Sequence, residues 1–265
     1  MIIELSEFFN NPSIIDVGFI KIQYYAITWL LSALLIYQFL KKDSNLIKSG
    51  LNEEKINDMV FLYGLFFGAI CGGRIGYMFF YGLDQLYENP LSVFYVWQGG
   101  LSFHGGLVGV IISLIIFCKK NNIEFLNTMD SIALAMPIGL GLVRIGNFLN
   151  GELFGRPTDQ SWGFIFPTDS FGLMRHPSQL YESFGEGILL FIILFLINKK
   201  TRTSGIISGS FLIFYSLIRF VIEFYRQPDN HIGFVLYDYL SMGQLLCIPM
   251  FIFGFLIIFY SYRKI

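Results

Sequence analysis

The sequence predicts an all-α fold: a polytopic membrane bundle of seven transmembrane helices with a small extracytoplasmic segment. Three observations carry this reading. The 265 residues are 54% hydrophobic and only 14% charged, with a mean hydropathy of +0.60, far more apolar than a soluble domain of this length requires. Seven apolar runs approach the roughly 20 residues that cross about 30 Å of hydrocarbon. The basic residues gather in every second connection between those runs.

The runs lie at about 19–40, 58–81, 101–118, 128–149, 180–198, 205–225 and 242–262. Backbone groups in hydrocarbon must be satisfied within their own segment, which an open sheet cannot do, so each run is expected as a helix. The first follows an acidic flank with Glu4, Glu7 and Asp16 and ends at Lys41 and Lys42, the reverse of a cleaved signal sequence, and is expected to remain as a span. The second carries Arg74 within GRIGY. The third opens in GGLSFHGGLVG, residues 99–109, where glycine pairs around His104 allow close helix contact or a broken helix entry. The fourth ends in VRIGNFL, bringing Arg144 and Asn147, and leads into the largest outside segment, about 150–179. The fifth starts in RHPSQLYE, with Pro177 suited to a first helical turn and Gln179 and Glu182 close behind. In the sixth, Tyr215, Arg219, Glu223 and Arg226 recur at i, i+4, i+8 and i+11 and so stack along one face. The seventh is uncharged up to Arg263. The whole chain, 1–265, reads as one integral membrane domain.

Orientation follows from the basic residues, which are enriched in short cytoplasmic connections. Segments 41–57, 119–127, 199–204 and 263–265 hold eleven of the eighteen Lys and Arg, among them Arg202 and Lys264. The opposite side has Lys21, Arg156, Arg175 and Arg226, and Arg74, Arg144 and Arg219 lie inside spans. The N-terminus is therefore expected outside and the C-terminus in the cytoplasm. Cys71, Cys118 and Cys247 fall in three different spans, a pattern of neither a disulfide framework nor a metal site. No basic patch for nucleic acid and no cofactor motif is present.

With that orientation, Tyr24, Tyr25, Arg74, His104, Arg144, Asn147, Gln179, Glu182, Arg219 and Glu223 all come to the outer half of the membrane, whereas the inner halves stay apolar. Ionisable groups inside spans are costly and mark sites or pathways. Arginines at that depth suit a phosphate, because a guanidinium stays charged and donates two parallel bonds to its oxygens. The anion expected there is a phospholipid head group. A pairing of Arg219 with Glu223 for packing alone is the plainer alternative for the sixth span. Metal-assisted chemistry lacks HExxH, an EF-hand loop or an acidic pair. A membrane serine protease using Ser102 and His104 fails on geometry, since residues two apart on a helix point away from each other. A lipid or solute transporter would carry polar groups on toward the inner face.

VRIGNFLNGELFG closely resembles the signature of bacterial prolipoprotein diacylglyceryl transferases, and FHGGLVG, HPSQLYE and RFVIEFYRQPD resemble further blocks of that family in the same order, across nearly the whole chain. The resemblance implies transfer of the diacylglyceryl group of phosphatidylglycerol to the lipobox cysteine thiol of a prolipoprotein signal peptide, in the bacterial cytoplasmic (inner) membrane. It implies roles for Arg144 and Arg219 in binding and stabilising the lipid phosphate, and for His104 and Tyr25. Asn147, Asn150, Glu152, Gly155, Tyr215, Glu223 and Arg226 match other motif positions implicated in phosphatidylglycerol binding. Val143 departs from the glycine common before the signature arginine, which bears on backbone packing there. The acceptor thiol must lose its proton to become a nucleophile; His104 is the first candidate base, with Glu152 and Glu223 as alternatives.

Overall fold

The computed structural model describes residues 13–16, 21–96, 99–201, 203–228, 234–236 and 240–263. Glu4 and Glu7 of the acidic flank, and Arg202 and Lys264 of the orientation count, lie outside the described residues. Helices stand where the apolar runs predict them: α1 (Tyr24–Leu40), α2 (Glu53–Phe80), α3 (Phe103–Asn121), α4 (Phe125–Leu149), α5 (Ser178–Lys200), α6 (Ile206–Ile222) and α7 (Met242–Arg263). Among the described residues, α2, α3, α4, α5 and α7 are long and apolar enough to cross a membrane, and α1 and α6 are shorter apolar helices of 17 residues each.

Local chemistry sets several of these ends. Asn52 caps α2, its side chain accepting from Lys55 N at 2.9 Å, so the helix starts five residues before the apolar run at 58. Ser102 caps α3, and the helix stops at Asn122, in the left-handed region at φ 55°. The first run loses its beginning to a hairpin: β1 (Ser13–Asp16) pairs antiparallel with β2 (Lys21–Gln23), and helix starts only at Tyr24. Two further two-stranded pairs, β3 (Phe164–Ile165) with β4 (Met174–Arg175) and β5 (Phe234–Leu236) with β6 (Leu240–Ser241), lie in the connections after α4 and α6. Such short strands carry no pattern that the sequence reading resolved.

The chain forms two compact units, residues 37–128 and residues 1–36 with 129–265. In the first, α2 and α3 pack backbone to backbone along Gly68, Gly72 and Gly76 on one side and Gly105 and Gly109 on the other. A Cβ built on Gly105 would stand 2.6 Å from Gly72 O and 2.7 Å from Gly76 Cα. Arg74 is buried here, but not against an acid. Its guanidinium donates to the carbonyls of Ser92, Val93, Gly99 and Gly100 and lies over the Tyr77 ring. It ties down the connection after α2, so its donors are committed to backbone.

In the second unit, α4 meets α5 where Gly141 faces Gly187, with Ser183 Oγ donating to Gly141 O at 2.9 Å. It also meets the first turns of α1, where Thr28 fills the space beside Gly146. Helices α6 and α7 contact through Gly209 and Gly254. Buried Asp130 on α4 accepts from Gly205 N, Ser208 N and Ser208 Oγ, at 2.7, 2.7 and 2.6 Å, and so caps the start of α6 from a neighbouring helix. Segment 150–177 is stitched by its own ion pair: Asp169 accepts from Arg175 Nε at 2.8 Å and Nη2 at 3.0 Å and from the backbone of Phe171 and Leu173. The Arg175 guanidinium, with those bonds, holds the Asp169 carboxyl below its usual range.

Two outcomes are expected. Gly105→Ala forces α2 and α3 apart and costs about 1–3 kcal/mol, seen as a lower thermal midpoint of the purified protein in detergent; an unchanged midpoint contradicts the packing. Asp169→Asn leaves the buried Arg175 without its counter-charge at a cost of about 3 kcal/mol. Because the folded carboxyl titrates below its unfolded value, the gap between wild type and variant is full above about pH 5. It closes as pH falls through the lowered folded value.

Candidate active site

The charged residues of the second unit meet where the C-terminal ends of α4 and α6 adjoin the N-terminal ends of α5 and α7. Helix α4 brings Arg144 on its penultimate turn and α5 brings Glu182 and Glu186, one turn apart. Helix α6 brings Arg219, with Glu223 and Arg226 just beyond its last residue. The residues from Ser183 to Leu189 wind as π-helix within α5, a widening often met at functional positions.

Glu182 is the hub. Its Oε2 lies 2.7 Å from Arg144 Nε and 2.8 Å from Arg219 Nη1, and its Oε1 lies 3.8 Å from Arg226 Nε. Glu186 reaches the same two arginines, at 3.6 Å from Arg144 Nε and 3.2 Å from Arg219 Nη1. Glu223 closes the other side, 2.8 Å from Arg219 Nη2 and 3.6 Å from Arg226 Nη1. Ser241 Oγ donates to Glu223 at 2.9 Å. A Cβ on Gly243 would stand 2.8 Å from the Glu223 carboxyl carbon, so glycine is what admits this carboxylate beside α7. Three carboxylates thus face three guanidiniums, and the side chains of Glu182, Glu186 and Glu223 are at most 2% exposed. Buried charges persist only when paired, and this set is neutral in sum.

Arg144 differs from Arg219. Its Nε lies close to both carboxylates and its Nη1 reaches Asn147 Oδ1 at 3.5 Å, but 20% of its side chain stays exposed, against 10% for Arg219. Arg144 is therefore the more exposed of these two side chains, while Arg219 is met by three carboxylates. Arg226 lines a hollow of about 260 Å³ with Arg175 and Phe171.

The other sequence-predicted residues surround this cluster or belong to the other compact unit. Asn147 Nδ2 donates to Glu152 Oε1 at 3.0 Å, and Gln179 Nε2 donates to Glu152 O at 2.7 Å, fixing the chain as it leaves α4. The turn passes through Gly151, at φ 67°, and Leu153, a non-glycine residue at φ 58°. Thr168 Oγ1 bonds the Gly151 carbonyl. Asn150 Oδ1 accepts from Tyr25 N at 3.4 Å, bringing the start of α1 to the same turn. Tyr215 lies one turn before Arg219, stacked on Phe211 and within electrostatic reach of Glu186 and Arg219. Gly155 pairs with Arg226 across a bridge. A Cβ there would stand 2.5 Å from Tyr225 O and 2.7 Å from His176 Cβ, so its backbone joins the 150–177 segment to the end of α6. His104 lies in the other compact unit, exposed on the first turn of α3.

Sequence reasoning missed Glu186 altogether and gave Glu182 no site role. The available signal was spacing: Glu182 and Glu186 are four apart on a helix, as are Arg219 and Glu223, so two facing helices each carry a charged step. Also unforeseen was an aromatic cluster between the 150–177 segment and the ends of α5 and α6. Trp162 Nε1 donates to Tyr181 Oη at 3.0 Å, Tyr181 Oη lies 3.1 Å from His176 Nδ1, and His176 stands edge-on to Tyr225. Burial pushes the His176 imidazole below its ordinary range. His176, Trp162 and Tyr225 line an open groove of about 710 Å³.

Residues 12–260 match the family model described as prolipoprotein diacylglyceryl transferase. The chain is 42% identical over 256 residues to the phosphatidylglycerol–prolipoprotein diacylglyceryl transferase of Pseudomonas putida strain F1, covering 96% of this chain and 95% of that one. It is 43% identical to the protein of that name from Pseudomonas putida strain KT2440, with the same coverage. Against the Acinetobacter baumannii strain SDF protein of that name it is 43% identical over 257 residues, 96% of this chain and 93% of the relative. With the match spanning almost the entire length, the chain belongs to the prolipoprotein diacylglyceryl transferase family.

Proposed function

We propose that the protein transfers the diacylglyceryl group of phosphatidylglycerol to the cysteine thiol of a prolipoprotein lipobox, the first step of lipoprotein maturation. Membership of the family supports the reaction. The observation that carries it to a site is the convergence of Arg144, Arg219 and Arg226 at one end of apolar helices, with Arg144 the most exposed of the three side chains. In this reading the chain is a single integral membrane domain of the bacterial cytoplasmic membrane with seven spans. Its N-terminus and the 150–179 segment are outside, its C-terminus is in the cytoplasm, and the arginine end lies at the depth of outer-leaflet head groups.

The reaction makes a C–S bond and breaks a C–O bond. The thiolate of the acceptor cysteine attacks the lipid glycerol carbon that bears the phosphate. The C–O electron pair leaves with glycerol phosphate, which passes from a monoanionic diester to a dianionic monoester, and the thiol proton goes to a base. A guanidinium aimed at the phosphate gains most where that second charge develops. Arg144 takes this role, Arg219 reinforces it, and Asn147, Asn150, Glu152, Gly155, Tyr215, Glu223 and Arg226 shape the head-group site. His104 is the first candidate for the base, beside Glu152 and Glu223, and Tyr25 stands where α1 enters. No covalent protein intermediate is required, so Cys71, Cys118 and Cys247 have no step.

Purified protein incubated with phosphatidylglycerol and a lipobox peptide should give a peptide heavier by one diacylglyceryl group in mass spectrometry; folded protein that yields no adduct contradicts the reading. Arg144→Lys should lower transfer at least about tenfold, because a point charge cannot make the two parallel bonds, and full transfer at normal protein level removes that role. His104→Gln should lower the rate about 100-fold or more. An unchanged rate across about pH 6 to 8 removes histidine as base.

A further inference from the structure

Glu182 and Glu186 have no task in the transfer as described, yet they are the most buried charged groups of the cluster. Neutralising Arg219 does not account for Glu182, because Glu223 already stands 2.8 Å from Arg219 Nη2. Glu186 also reaches both arginines, but only Glu182 does so closely through one atom: its Oε2 sits 2.7 Å from Arg144 and 2.8 Å from Arg219, while its other oxygen lies 3.8 Å from Arg226.

Two guanidiniums that must serve one phosphate are like charges and repel each other across a low-dielectric interior. An anion held between them offsets that repulsion and keeps the two guanidiniums close together. We propose that Glu182 is the positioning residue of the transfer reaction: its buried carboxylate bridges Arg144 and Arg219 from beneath and sets them for the lipid phosphate, with Glu186 as the supporting carboxylate one turn farther along α5. This rests on the diacylglyceryl transfer reading given above. Glu182 touches neither lipid nor thiol; it acts through the two arginines. Bridging requires the negative charge, so a neutral side chain of the same shape fails, whereas a shorter acid keeps part of the effect.

The test measures kcat and KM for phosphatidylglycerol with purified full-length protein and a lipobox peptide, for wild type, Glu182→Gln, Glu182→Asp, Arg144→Lys and the double variant Glu182→Gln with Arg144→Lys. Glu182→Gln is expected to lower kcat about 100-fold while changing KM less than about threefold, the pattern of an interaction made in the transition state. Glu182→Asp should retain more activity than Glu182→Gln, and Glu182→Gln should cost little further once Arg144 is already lysine. A role in packing alone gives the reverse order, with the isosteric Gln better tolerated than Asp, and losses that add. Wild-type kcat in folded Glu182→Gln, or that reversed order, overturns the positioning role and leaves the transfer reading intact. Absence of transfer by folded wild type overturns both. If Glu182→Gln does not fold by size-exclusion chromatography, Glu186→Gln is read in its place for a lowered kcat at near-constant KM. Wild-type kcat there, or failure of that variant also to fold, makes the carboxylates structural and overturns the proposal.

Discussion

The pairing of three guanidiniums with three carboxylates among apolar helices is the interaction on which the arrangement of residues 129–265 depends. Charges placed inside such helices persist only in a balanced set, and Arg144, Arg219 and Arg226 with Glu182, Glu186 and Glu223 form one. The set fixes more than itself. It requires the ends of α4, α5 and α6 to meet at one level, and the small residues between the helices allow it: Gly141 against Gly187, Gly209 against Gly254, and Gly243 beside Glu223. Asp130 meets a related need at the start of α6, where its buried carboxylate accepts from backbone N–H groups and the Ser208 hydroxyl.

Arg74 provides the contrast. It is also a buried arginine near a helix end, and its positive charge is met by backbone carbonyls and the Tyr77 ring rather than by a carboxylate. Carbonyl dipoles can hold a guanidinium in place, but they use its donors to do so. Arg74 is thereby a fastening for the chain that follows α2. Arg144 instead lies 2.7 Å from Glu182 and 3.6 Å from Glu186, so its charge is met by acids. The same residue type is thus held by carbonyl dipoles in one place and by carboxylates in another.

Much of this was legible in the sequence. The apolar runs locate every long helix, and the step from Tyr215 to Arg219 and Glu223 marks one side of α6 and its cap, whereas Arg226 lies beyond the helix, bridged to Gly155, and not on a continued helical face. The motif VRIGNFLNGELFG delivers Arg144 and Asn147 to a helix end and turns at Gly151, as its composition implies. Glu186 was hidden because it sits between glycines in an otherwise apolar stretch, SFGEGIL, where nothing local hints at partners on α4 and α6. Arg74 was grouped with the phosphate-facing arginines because the sequence reports depth along a helix but not what a guanidinium meets. The short strands fell outside any readable pattern, since two or three residues of alternation are too few to distinguish from a loop.

The account stands or falls on where the lipid phosphate sits. A structure of the protein with phosphatidylglycerol bound measures this most directly. The account predicts the phosphorus about 4 Å from the Arg144 guanidinium carbon, in the range of a paired phosphate contact, with Glu182 still bridging Arg144 and Arg219 behind it. A head group bound with its phosphate away from both arginines, or an Arg144 guanidinium fully enclosed by carboxylates in the lipid complex, would contradict it.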